Sequence, residues 1–137
     1  MEKVLVTGAT GYIALHCVQQ LLDQGYAVNG SIRSPERKNE VIEALKNSGT
    51  STENLNLYVF DLTNDEGWDD GMEGCDYLLH VASPLALENH TEDYFVKPAV
   101  AGAKRALKFA KKHSVKKVVL TSSVAAIFET GEEKVFY

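Results

Sequence analysis

Five short apolar runs, each separated from the next by a stretch of helical length, predict an α/β protein built on a parallel, doubly wound sheet. Two local observations support that class. A glycine turn, TGATG, stands directly between the first apolar run and the first helical pattern. The fourth run, DYLLHVA, is almost continuously apolar, as expected for a strand covered by helices on both faces.

Val4 to Val6 reads as the first strand. After the glycines, Ala14, Cys17, Val18 and Leu21 fall on one helical face, and Gly25 ends that helix. Ala27 to Ile32 forms the second strand. Ser34-Pro35 is a cap and first-turn pair for a helix carrying Val41, Ile42 and Leu45, which stops near Gly49. Leu55 to Phe60 is the third strand, and the acidic segment around Trp68 that follows has poor periodicity. Asp76 to Ala82 is the fourth strand. A long helix is expected from about Thr91 to His113, with Pro98 beginning its main part or kinking it. Lys116 to Thr121 is the fifth strand. Residues 1–128 thus read as one domain, and residues 129–137 as a tail without a clear element.

Composition narrows the function classes. A formal net charge of −5 argues against nucleic acid or an anionic membrane as partner. No apolar run approaches the roughly 20 residues of a membrane span. The first residues resemble neither a signal peptide nor a transit segment, so a cytoplasmic location is expected. Cys17 and Cys75 are far apart and read as reduced thiols. The four histidines show no ligand spacing, so no metal is expected.

The glycine turn has a specific chemical use. Gly8, Gly11 and Ala14 recur every three residues. Gly8 permits a sharp exit from the strand, Gly11 keeps a Cβ out of the way of a pyrophosphate, and Ala14 lets the helix pack closely on the sheet. The helix N-terminus then presents unpaired N–H groups and partial positive charge to the phosphates. A strand before and a helix after make this a dinucleotide site of the Rossmann kind.

TGxxGxxA is the form of the turn in the extended branch of the short-chain dehydrogenases/reductases, and further stretches are similar to that branch in the same order. Asp61-Leu62 resembles the pair beside the adenine ring. HVASP (His80 to Pro84) resembles the stretch lining the ribose and nicotinamide side, and LTSSVAA (Leu120 to Ala126) resembles the strand end bearing the catalytic serine. Together they resemble the dihydroflavonol-reductase-like and aldehyde-reductase-like members. The resemblance implies cofactor contacts from Thr7, Gly8, Thr10, Gly11, Tyr12 and Ile13, from Asp61 and Leu62, from Val81, Ala82 and Ser83, and from Thr121 and Ser122. The Ser122 hydroxyl is expected mainly to bond backbone at the strand end. Ser123 matches the catalytic serine, whose hydroxyl would hold a substrate carbonyl over the nicotinamide. The long helix departs from the usual PAVxGTxN, with Ala103 and Arg105 in place of Thr and Asn.

An NAD-specific site commonly carries a carboxylate at the end of the second strand. The stretch NGSIRSPER has no acid before Glu36 and places Arg33 there, with Arg37, Lys38, Ser31 and Ser34 close by in sequence. A guanidinium suits a 2′-phosphate, so NADP(H) is the expected cofactor. The partner is then a small carbonyl or alcohol substrate, and the leading function an NADP(H)-dependent oxidoreductase. Two others remain open: an NAD-dependent nucleotide-sugar epimerase or dehydratase, and a cofactor-sensing protein without turnover. The family's YxxxK pair does not follow Ser123, since Tyr94 and Lys97 precede the serine and Tyr137 has no lysine after it. The 137 residues by themselves are therefore expected to bind cofactor better than they catalyse.

Overall fold

A computed structural model describes residues 1–83 and 92–128; Pro84, Thr91 and the tail from Glu129, including Tyr137, lie outside the described residues. The strands are β1 (Lys3–Val6), β2 (Ala27–Ile32), β3 (Leu55–Val59), β4 (Tyr77–His80) and β5 (Lys117–Leu120). They form one sheet in the order β3-β2-β1-β4-β5, and every pairing is parallel. The strand order turns back beside β1, so the connections leave a crevice at the carboxyl edge between β1 and β4. The glycine turn opens into it.

Alternation along β1 divides the core. Val4 and Val6 point to one face and Leu5 to the other, all three buried. The Val4 and Val6 face is aliphatic. It is covered by α1 (Tyr12–Asp23) through Ala14 and Val18, and by α2 (Lys38–Asn47) through Val41 and Leu45. Cys17 and Leu21 pack against this cluster partly buried, so the expected α1 face is the observed one. Ser34 precedes a 3-10 turn over Pro35–Arg37 that runs into α2. Its hydroxyl makes no capping bond and instead bonds Glu36, whose carboxyl pKa is lowered chiefly by a backbone bond and further by this hydroxyl.

The Leu5 face is aromatic. Trp68, fully buried, lies against Phe60 and Phe109, with ring centroids 4.7 and 5.9 Å away. The segment without periodicity therefore contains a helix, α3 (Trp68–Met72), only five residues long. Trp68 Nε1 donates to the Asp61 carbonyl at 2.8 Å. On the same side α4 (Glu92–Lys112) buries Ala106, Phe109 and Ala110. Pro98 lies inside α4 rather than at its start, withholding one i→i−4 bond more than a turn into the helix. A four-residue helix, α5 (Ala125–Phe128), follows β5.

Cys17 and Cys75 are both free, and burial pushes the Cys75 thiol up to about 11. No helix among the described residues is long and apolar enough to cross a membrane, and none of these residues form a group that could hold a metal.

Candidate functional site

The carboxyl edge is tied together by two buried hydroxyls. Ser31, at the end of β2, accepts the Gly8 N–H on Oγ at 2.8 Å, while its carbonyl accepts the Ala9 N–H at 2.8 Å. Thr7, at the end of β1, accepts the Val81 and Ala82 N–H groups on Oγ1, both at 3.0 Å, and lies 3.0 Å from His80 Nδ1. The glycine turn is thus pinned to the second strand on one side and to the fourth on the other.

Gly8 has φ +71°, and a Cβ there would stand 3.0 Å from the Ala82 Cβ. Both the backbone conformation and the close approach of the β4 loop exclude a side chain. Gly11 is the N-cap of α1 and makes no side-chain capping bond, and no acid sits in the helix's first turn. The first N–H groups of α1 therefore face the crevice in a setting that favours an anion. Tyr12 and Ile13 are large and exposed in that same first turn, while Thr10 is half-buried beside them.

Arg33 is exposed just past β2, and its charge helps to depress the Asp61 pKa, chiefly lowered by the Thr63 hydroxyl. The Asp61 carboxylate accepts from both the Thr63 N–H and Oγ1. Arg33 and Asp61 thus flank one another at the β2–β3 end of the edge. Three of the neighbours close to Arg33 in sequence, Arg37, Ser31 and Ser34, are otherwise engaged. Arg37 forms a two-pronged pair with Glu40 at 3.0 Å, and the Ser31 and Ser34 hydroxyls bond within the fold.

Leu62 is positioned from α4. A Cβ on Gly102 would stand 2.8 Å from Leu62 Cδ2, so only glycine lets the helix come this near. Arg105 donates to the Leu62 carbonyl and, at 2.6 Å, to Asp65. The departure from the family's Asn thus has a local use: a guanidinium strap from α4 to the loop after β3. Sequence reasoning missed it, as it missed the Ser31 and Thr7 ties, because each joins residues from separate elements.

At the other end, Val81 and Ala82 are half-buried and Ser83 exposed. Thr121, Ser122 and Ser123 are exposed just past β5, with the Thr121 N–H donating to the His80 carbonyl at 3.1 Å. The sequence-predicted residues therefore share one edge of the sheet, from Asp61 beyond β3 to Ser123 beyond β5.

Residues 4–135 match the NAD dependent epimerase/dehydratase family. The chain belongs to that family. Its relatives place it in the dihydroflavonol-reductase-like branch of the extended short-chain dehydrogenases/reductases, over the N-terminal part of that fold. Cinnamoyl-CoA reductase 2 of Arabidopsis thaliana is 40% identical over 128 residues, 93% of this chain and 37% of that protein. Dihydroflavonol 4-reductase of Solanum lycopersicum is 35% identical over 136 residues, 98% of this chain and 36% of that protein. The chain thus spans a little over a third of the length of the curated relatives it matches. Among solved structures, the yeast methylglyoxal/isovaleraldehyde reductase complexed with NADPH superposes with a TM-score of 0.83 at 35% identity, covering 96% of this chain and 40% of that one. Vestitone reductase from alfalfa gives a TM-score of 0.79 at 32% identity, covering 98% and 40%.

Proposed function

We propose that these residues are the cofactor-binding part of an NADP(H)-dependent oxidoreductase acting between a small carbonyl compound and its alcohol. The observation that carries the reading is Arg33, exposed beyond β2 where an NAD site would place a carboxylate, on the same edge as the uncapped start of α1. The residues fit the group. Gly8 leaves the narrow gap beside Ala82, and the α1 N-terminus lacks both cap and acid. Support also comes from the yeast relative, whose structure is a complex with NADPH.

Thr7, Gly8, Thr10, Gly11, Tyr12 and Ile13 would hold the pyrophosphate end, Arg33 the 2′-phosphate, and Asp61 with Leu62 the adenine. Val81, Ala82 and Ser83, with Thr121 and Ser122, would line the ribose and nicotinamide side. When bound, the nicotinamide supplies or accepts a hydride. The Ser123 hydroxyl would donate to the substrate carbonyl oxygen, fixing its distance and face, a positioning role for a group at the carboxyl edge. Proton donation is the role of the family's YxxxK pair, and that pattern does not follow Ser123 here. The 137 residues alone are expected to bind NADPH while reducing carbonyls slowly.

Titration of wild type and Arg33→Ala with NADPH and NADH tests the reading. Wild type should favour NADPH, and the variant should lose most of that preference. Equal affinity of wild type for the two cofactors would overturn it and favour the epimerase or dehydratase reading. A UDP-glucose 4-epimerase in complex with NAD+ and UDP, which superposes with a TM-score of 0.75 at 25% identity, keeps that alternative in view.

A further inference from the structure

A threonine hydroxyl has one proton to donate and two lone pairs to accept with. In Thr7 both lone pairs are engaged, because the Val81 and Ala82 N–H groups each donate to Oγ1 at 3.0 Å. The one hydroxyl proton is left with His80 Nδ1, 3.0 Å away. Nδ1 must then be the unprotonated nitrogen, and the ring proton must sit on Nε2. The tautomer follows from counting donors.

We propose that His80 is a positioning residue that, through the Thr7 hydroxyl, holds the β4 loop against the glycine turn, so that a proton on Nδ1 loosens the loop and weakens NADP(H) binding. This rests on the cofactor reading above. With Nδ1 protonated, Thr7 Oγ1 would face three donors and have no acceptor for its own proton. The hydroxyl must turn, and at least one of the Val81 and Ala82 N–H groups loses its partner. That loop touches the turn directly, since Ala82 is the residue that a Cβ on Gly8 would strike.

The surroundings favour the neutral ring. His80 is 5% exposed, lies 6.4 Å from the Trp68 ring, and is held through its carbonyl by the Thr121 N–H. Burial is the cause of its lowered pKa. Charged groups on the packed elements are directed elsewhere. Lys3 of β1 and Lys117 of β5 stand at the opposite ends of their strands, and Lys116, just before β5, pairs with Asp76. On α3, Asp69 pairs with Lys112 and His113, and Asp70 is exposed; on α4, Arg105 and Lys108 pair with Asp65. A depressed histidine pKa gives a contribution fully present above the ordinary value of 6.5 and lost as pH falls through the folded value.

The test compares wild type with His80→Asn, whose carbonyl oxygen can accept near the Nδ1 place without titrating, and with His80→Leu, which cannot accept. NADP+ affinity is measured at about pH 7.5 and about pH 4.5, the lower value set well below the ordinary histidine range because burial depresses His80. Titration of the cofactor's own 2′-phosphate affects every variant alike. Wild type should lose roughly tenfold more affinity than His80→Asn over that interval, and His80→Leu should bind roughly tenfold more weakly at both. An equal loss in wild type and His80→Asn overturns the proposal. Nitrogen-15 NMR of the ring and amide exchange at Val81 and Ala82 need no cofactor. A proton on Nδ1 at neutral pH, or no faster exchange in acid relative to His80→Asn, also overturns it. Normal results from those two with no NADP+ binding would instead overturn the cofactor reading.

Discussion

The two faces of the sheet are built differently, although one strand order serves both. The α1–α2 face is aliphatic and periodic: Val4, Val6, Ala14, Val18, Val28, Ile32, Val41 and Leu45 fill it with small, interchangeable shapes. The α3–α4 face rests on a few large rings, Phe60, Trp68 and Phe109, with Met72 buried in the same cluster. Its buried polar groups are also individual. Asn29 donates to the Gly71 carbonyl at 2.8 Å, and His80 answers Thr7. An aliphatic face spreads its stability over many residues, whereas an aromatic face concentrates it in a few. The first presents the start of α1 to the crevice, and the second holds the β4 end that closes against it.

That contrast is most directly broken at Trp68. Trp68→Ala removes the ring stacked at 5.9 Å on Phe109 and the bond from Nε1 to the Asp61 carbonyl. A loss of about 3–5 kcal/mol is expected in urea denaturation, which would unfold much of the population of a marginal domain. On the other face, Val18→Ala removes two buried methyl groups and should cost only about 2–3 kcal/mol. Similar losses from the two substitutions would mean that the aromatic face is no more concentrated than the aliphatic one.

Gly8 lies where the faces meet. Gly8→Ala must adopt φ +71° with a Cβ 3.0 Å from that of Ala82. A stability loss of about 1–2 kcal/mol is expected from the backbone alone, read as a lower urea midpoint. A larger drop in NADPH affinity than in stability would place the strain at the crevice.

The same contrast explains what could be read from the sequence. Repeated apolar spacing announces the aliphatic face, so β1, α1, β2 and α2 fall where the pattern of Val4, Ala14, Val18, Val41 and Leu45 puts them. The aromatic face has no such repetition. α3 has five residues, two of them aspartates and one glycine, and only tertiary contact with Phe60 and Phe109 makes Trp68 a core residue. At the candidate site, the glycine turn, Arg33 and the TSS stretch were legible because each is a local motif. The Thr7–His80 bond was not, since its partners are 73 residues apart and meet only through the register that sets Val6 beside Leu79. β5 reads as a strand from its apolar run, yet Val119 and Leu120 are each 50% exposed, because cover depends on neighbours and not on the run itself.

The smallest effect is expected at the strap between α4 and the loop after β3. Arg105 and Lys108 both pair with Asp65, and they hold its carboxyl below the usual range, Lys108 contributing first. Asp65 is well exposed, so the pairing is screened by water and salt, and Arg105→Ala should shift the thermal midpoint only slightly. A depressed carboxylate contributes above its ordinary pKa of 3.8 and loses that contribution as pH falls through the folded value. The difference between wild type and variant should therefore narrow in acid. It should also narrow in about 0.5 M salt, except for the part due to the Leu62 carbonyl, which accepts from Arg105 without bearing a net charge. The affinity readout separates the two. If the strap chiefly orders Leu62, NADPH binding by Arg105→Ala should weaken at high and low salt alike. If it acts only through Asp65, the loss should vanish with added salt. An unchanged affinity at both would reduce the strap to a surface ion pair, leaving Gly102 as the feature of α4 that sets the place of Leu62.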